Sequence, residues 1–403
     1  MKRMRYYLNI FILIIVVLCS CDQNVINDIN KNDLINENFD QKTAFEFTPS
    51  DDRAAEAQNV VTRNFGSVRY HDGYVYIFSS GQAFRFNPET GNITNLCSDP
   101  ICLHETDECP FYGIRTNQQI HINDGKIYFL SQRYHRSEEG NRIFEYYRMQ
   151  YDINLQTAKV LEVYPFSGSW TGSDYYSNEW RYYIKIDTTE EKETYENLLR
   201  RENLNTGKTE ILMNLGDINY TLVYVNEERI YLHDGVNLFY YILDDLNNKC
   251  IISDKCKGYI ACDGEWFYHT LIDGDKTSLV KYDMEGGNRV TLAENISRSY
   301  STEQYIYYMP DVMYTIGEDI TNYKSDIYRV PKNGGTAELV YTFPEDMIDR
   351  YVILYFIVDG NYLYANYGVY TSESDNWYES INADPYDVMR INLSTGDIYY
   401  ISK

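Results

Sequence analysis

A chain of 403 residues with 36 Lys and Arg against 60 Asp and Glu carries a formal charge of −24. Such a body repels nucleic acid and anionic surfaces, because binding through counterion release needs clustered Lys and Arg. A hydrophobic share of 44% is enough for a sizeable core and excludes wholesale disorder, while 43 tyrosines call for an architectural reason.

The amino terminus is basic at Lys2, Arg3 and Arg5, then apolar from Leu8 to Leu18 with only Asn9 interrupting. That run is too short to span a bilayer core, which takes about 20 residues, and has the shape of an export signal. It closes on Leu18-Cys19-Ser20-Cys21, which resembles the lipobox of bacterial lipoproteins, with Cys19 where that family has Ala or Ser. The resemblance implies a signal peptide over residues 1–20, lipid on Cys21, and a globular part outside the cytoplasm, anchored to the cell membrane. Cleavage removes three cations and no acid, so the charge moves from −24 to −27; lipid, not charge, then holds the chain to the membrane. Residues 21–65, rich in Asn, Asp, Gln and Glu, read as a flexible tether spanning on the order of 35 Å, with a short helix expected over Arg53-Ala54-Ala55-Glu56-Ala57.

From residue 66 the chain repeats. One element is a turn followed by an apolar residue and an aromatic: Asp72-Gly73-Tyr74-Val75-Tyr76, Asp124-Gly125-Lys126-Ile127-Tyr128, Asn178 to Tyr182, Glu227 to Tyr231, Asp263 to Tyr268, Glu303 to Tyr307 and Asp359 to Tyr364. Asp-Gly between alternating apolar residues predicts a hairpin. A second element, clearest at Asn87-Pro88-Glu89-Thr90-Gly91, Asn203 to Gly207 and Asn392 to Gly396, predicts another turn, with Asn opening it and Gly supplying a positive φ. Two hairpins per copy make four strands. Seven copies of about 48 residues, with no sustained helical period, predict an all-β chain: a single β-propeller over 66–403 with seven four-stranded blades. The tyrosine excess then acquires a place, one ring on each second strand between neighbouring blades.

The paired turn motifs are similar to those of extracytoplasmic propeller lipoproteins of anaerobic Gram-positive bacteria, related to the YWTD propellers of low-density-lipoprotein-receptor-type proteins and to the TolB family. The YWTD sequence itself is absent. The resemblance implies architecture rather than a ligand.

Six cysteines remain outside the export signal, in two triplets of equal span: Cys97, Cys102 and Cys109, and Cys250, Cys256 and Cys262. Each triplet is expected where the fourth strand of one blade passes to the first of the next, on the face opposite the Asp-Gly turns. Export predicts disulfides among the six. The alternative at the first triplet is a metal: Cys97, Cys102, His104 and Cys109 can offer three thiolates and an imidazole to zinc or an iron–sulfur centre. His269 reads as an ordinary strand histidine, and Asp273-Gly274-Asp275 as a turn, not a calcium loop. The tyrosine-rich stretches Asp174-Tyr175-Tyr176 and Asn376-Trp377-Tyr378 read as packed rim residues, with sugar stacking as the alternative. No HExxH, Gly-x-Ser-x-Gly or P-loop pattern is present. The expected function is a lipid-tethered binding or scaffold module for a protein, peptide or glycan, without a cofactor. The alternative is a metal- or thiol-dependent enzyme or redox protein built on the first triplet.

Overall fold

In a computed structural model of the chain, Asp72-Gly73 and Asp124-Gly125 have positive φ at both residues (49° and 77°, 48° and 65°), the turn whose twist matches the strands it joins. Two of the copies without Asp-Gly use another side-chain oxygen. Asn226 Oδ1 accepts from the Glu228 and Arg229 amides (3.0 and 2.8 Å), and Thr302 Oγ1 from the Tyr305 amide (3.1 Å). The second turn repeats more strictly. Asn87, Asn203 and Asn392 accept amides two and three residues onward through their side chains. Gly91, Gly207 and Gly396 then donate back to the Asn carbonyls at 2.9, 2.8 and 2.7 Å.

The structure describes residues 52–54, 60–61 and, with gaps, 68–401; the longest gaps are 311–325 and 371–380. By its contacts the chain divides after Ala44, and every described residue belongs to the second unit, Phe45–Lys403. These residues form seven antiparallel sheets, each built on four strands in chain order, over 68–95, 121–165, 174–214, 221–253, 256–294, 296–342 and 351–400. The first strands of successive sheets touch one another from the second sheet round to the seventh, and the seventh touches the first. They therefore surround the axis, and the fourth strands lie outermost. This is the expected seven-bladed propeller, all-β, with no helix among the described residues.

The repeated tyrosines Tyr76, Tyr128, Tyr182, Tyr231, Tyr268, Tyr307 and Tyr364 are all buried. Each packs toward the following blade. Tyr128 stacks on Tyr176 of blade three with centroids 4.0 Å apart, Tyr231 lies 5.0 Å from Phe267 of blade five, and Tyr364 sits edge-on to Phe86 of blade one at 5.7 Å. An aromatic ring buries about 150–250 Å², so one per junction supplies much of what holds neighbouring blades together. The last contact matters most for closure, because each four-stranded blade comes from one continuous stretch of chain and, among the described residues, no strand exchange ties blade seven to blade one.

Part of the segment expected as tether belongs to the propeller. Asp52 is fully buried. Its carboxylate accepts from Thr302 Oγ1 at 2.6 Å and the Gln304 amide at 2.9 Å, while its carbonyl accepts from Gly360 N at 2.8 Å. Arg53 reaches Asp359 of blade seven and Glu89 of blade one, both at 3.4 Å. Ala54 bridges Thr302 where a helix was expected, and Val60–Val61 pairs with Ala261 and Ile260 on the inner edge of blade five. Partners 250 and 305 residues away leave no local trace in this segment, which is why composition alone made it look like a linker.

Candidate functional site

The alternation of strands puts both hairpin turns of each blade on one face. The second-to-third turns and the blade-to-blade connections share the other. Two features stand out on this connection face: the passage from blade one to blade two, and the blade-two hairpin beside it.

The passage begins where Asn95 Oδ1 accepts the Cys97 amide at 2.9 Å and turns the chain off the sheet. Tight turns follow: Cys102 N donates to Asp99 O (3.2 Å), Cys109 N to Thr106 O (3.1 Å), Tyr112 N to Cys109 O (3.2 Å) and Ile114 N to Phe111 O (3.1 Å). The curled chain then docks on blade two. Gln132 N donates to Gly113 O at 2.7 Å and Ser131 Oγ to Tyr112 O at 2.6 Å. A Cβ at Gly113 would stand 2.0 Å from Gln132 O, and φ there is +66°, so only glycine fits. Phe111, fully buried, lies 5.5 Å from Phe129 and 4.8 Å from Tyr151, whose hydroxyl donates to the Leu96 carbonyl.

This folding gathers the first triplet. The Sγ atoms of Cys97, Cys102 and Cys109 all lie within 4.8 Å of one another, Cys97 and Cys109 buried and Cys102 partly exposed. Burial raises the Cys97 thiol pKa and pushes that of Cys109 up to about 12, so without a positive partner both stay protonated at neutral pH. His104, the expected fourth ligand, and Cys21, the expected lipid site, lie outside the described residues.

The second triplet is not gathered, and the expectation that both sit together on the connection face is corrected. Cys250 is within the outer strand of blade four, opposite Tyr240. Cys256 and Cys262 are the two ends of blade five's inner strand, Cys256–Cys262, on the order of 20 Å apart at strand rise. Cys262 therefore lies beside the Asp263-Gly264 turn on the opposite face, buried against Met284 at 3.8 Å. Two strands separated only by Asp254 and Lys255, where a longer connecting loop was expected, spread these residues. None of the six cysteines is joined in a disulfide in this structure.

The second and third strands of blade two, Lys126–Arg136 and Arg142–Asp152, are eleven residues each, against six and five in blade one. Their far ends project on the connection face and expose Tyr134 (47%), Ile143 (41%) and Phe144 (36%), with the two rings 6.0 Å apart.

A buried ion network joins blades two and three. Asp174 accepts from Arg181 Nε at 3.0 Å and from its Nη2 at 3.1 Å; Arg148 of blade two faces Asp174 at 3.7 Å and Glu202 at 3.5 Å; Arg181 also reaches Glu202 at 3.2 Å. Burial, offset in part by Arg148, pushes the Asp174 carboxyl up to about 6. These strands carry several other charged residues, so no single Arg or Asp in the sequence marks the network. Asp174, Tyr175 and Tyr176 lie in the inner strand of blade three, Asp174–Ser177, and are all buried, as packed residues; Trp377 and its neighbours lie outside the described residues. Asp273 ends a strand at a hairpin turn and pairs with Lys255 at 2.6 Å. His269 is fully buried and stacks on Tyr282 with centroids 5.3 Å apart, and burial pushes its pKa down to about 4.

No protein-family model and no curated protein matches the chain. Among solved structures it is similar to the β-propeller domain of the trilobed protease from Pyrococcus furiosus, at 13% identity and a TM-score of 0.43 over 69% of this chain and 78% of that one. It is similar to an oligogalacturonate lyase in complex with manganese, at 11% and 0.42 over 88% and 94%. A chain of a nidogen/laminin complex matches at 12% and 0.36 over 64% and 89%. At such identities and scores these likenesses carry no argument about substrate, metal or partner.

Proposed function

We propose that the chain is a lipid-anchored binding or scaffold module of the cell exterior, tethered through Cys21 and offering the connection face of its propeller to a protein, peptide or glycan. The observation that carries this reading is where the chain joins the ring. Asp52, Arg53 and Ala54 bond to the Thr302–Gln304 and Asp359–Gly360 turns, and Arg53 to Glu89 in a further turn, all on the turn face. The described chain therefore enters the propeller on the turn face, and this reading gives ligand contact to the opposite, connection face. There the long blade-two hairpin presents Tyr134, Ile143 and Phe144, amphipathic and apolar groups suited to contact at low entropic cost.

Two measurements test it. Cys21→Ser is expected to abolish incorporation of labelled fatty acid and release the chain from the membrane fraction; retention with label elsewhere defeats the anchor. The released chain, screened on glycan and peptide arrays, is expected to bind a ligand that Tyr134→Ala with Phe144→Ala weakens at least tenfold. Unchanged binding removes that hairpin from the site.

A further inference from the structure

The first cysteine triplet has the geometry of an ion site, a matter separate from the binding-module reading. Thiolates around one tetrahedral zinc, at about 2.3 Å from the metal, stand about 3.8 Å apart. The three Sγ atoms already lie within 4.8 Å of one another, so each has to move by only about 0.6 Å, within reach of small side-chain rotations. Sulfurs on separate irons of a cluster stand farther apart, so the spacing suits one ion. The donors are soft, which disfavours calcium and magnesium and favours zinc-class ions. The ligands come from a built loop: Asn95 holds the Cys97 amide, Thr106 holds that of Cys109, and the Gly113–Gln132 bond pins the following turn to blade two. The loop also packs on the cluster that includes Phe111, Phe129 and Tyr151.

We infer that Cys97, Cys102 and Cys109 together bind one zinc-class divalent ion as three thiolates, with the fourth coordination position on the solvent side, next to the partly exposed Cys102. Each thiol gives its proton to solvent on binding, so three protons leave per ion and no oxidant is needed. The ion joins the exit of blade one to the entry of blade two. Binding to the folded chain alone stabilises it by mass action.

The test uses the full chain in detergent, purified under reductant and titrated with cobalt(II) and then zinc. The expected result is one cobalt per chain with a thiolate-to-cobalt charge-transfer band, displaced by zinc, and a melting temperature that rises with either metal. Cys102→Ser is expected to remove the band and weaken zinc binding at least 100-fold while far-ultraviolet circular dichroism stays unchanged. Since Cys97 and Cys109 are buried and their replacement can unfold the loop, the partly exposed Cys102 decides the matter. Cys250→Ser serves as a control that keeps the band. Absence of the band in the reduced parent chain, or its survival in Cys102→Ser, overturns the inference. So does a native disulfide among the three whose reduction yields no metal binding.

Discussion

The two cysteine triplets span the same number of residues, yet one becomes a cluster and the other a dispersed set. Between blades one and two the chain leaves the sheet at Cys97 and folds back through short turns, so residues well apart in sequence meet. Between blades four and five the corresponding residues stay in strand, where each step carries the chain about 3.3 Å onward and alternates faces. Spacing sets how far apart two side chains can be. Backbone conformation between them sets how far apart they are.

The sharpest way to break this contrast is to remove the aromatic support on each side. Phe111→Ala and Phe267→Ala, both at fully buried positions, are each expected to cost about 3–5 kcal/mol in chemical denaturation. Only Phe111→Ala should also disperse the thiols and abolish metal binding. Equal metal binding in both variants contradicts a loop held by its aromatic core. The glycines come next. Gly113→Ala drives a Cβ into a backbone oxygen and is expected to cost about 3 kcal/mol. Gly264→Ala, at φ +93° with only Tyr224 Oη at 3.6 Å, should cost about 1–2 kcal/mol; thermal melts compare them.

His269 pairs with Ile260 inside the second region and probes its burial. The unfolded chain takes up this proton near pH 6.5 and the folded one only near 4, so acidification through that window favours unfolding. His269→Phe is expected to remove up to about 3 kcal/mol of the stability lost by pH 4, with little change at neutral pH; an unaltered acid slope in denaturation curves rules that out. The smallest effect is in thiol reactivity. In metal-free reduced protein, Cys102 and Cys250, both partly exposed, should alkylate first. Cys109 and Cys262, buried and pushed up to about 12, should react only on unfolding, at the same low rate in both regions. Mass spectrometry after timed alkylation checks the order.

The turns were legible because their causes are local. Asn87 bonds to amides two and three residues away, and Asp72-Gly73 adopts its φ values within a single hairpin. The buried tyrosines followed from the same repeat, since strand alternation puts one side chain per copy in one position. The first triplet was legible as a candidate but not as geometry, because its closeness depends on the Gly113 contact with blade two. The second triplet misled because the passage between blades four and five is almost all strand. The Arg148–Asp174–Glu202 network joins charges from two blades, a pairing no local pattern predicts.

The composition feature met first, an acidic chain unusually rich in tyrosine, therefore divides in two. Local sequence by itself determined the seven blades, their turns and the place of the repeated tyrosines, because hydrogen bonds and alternation over a few residues suffice for each. Only the tertiary structure decided which cysteines meet, which buried charges pair, and that Asp52–Ala54 fastens the chain to blades six, seven and one. The cysteines meet because their loop curls and docks on blade two, whereas the Arg148 and Asp52 contacts join residues far apart in sequence that only the packing of separate blades brings within bonding distance.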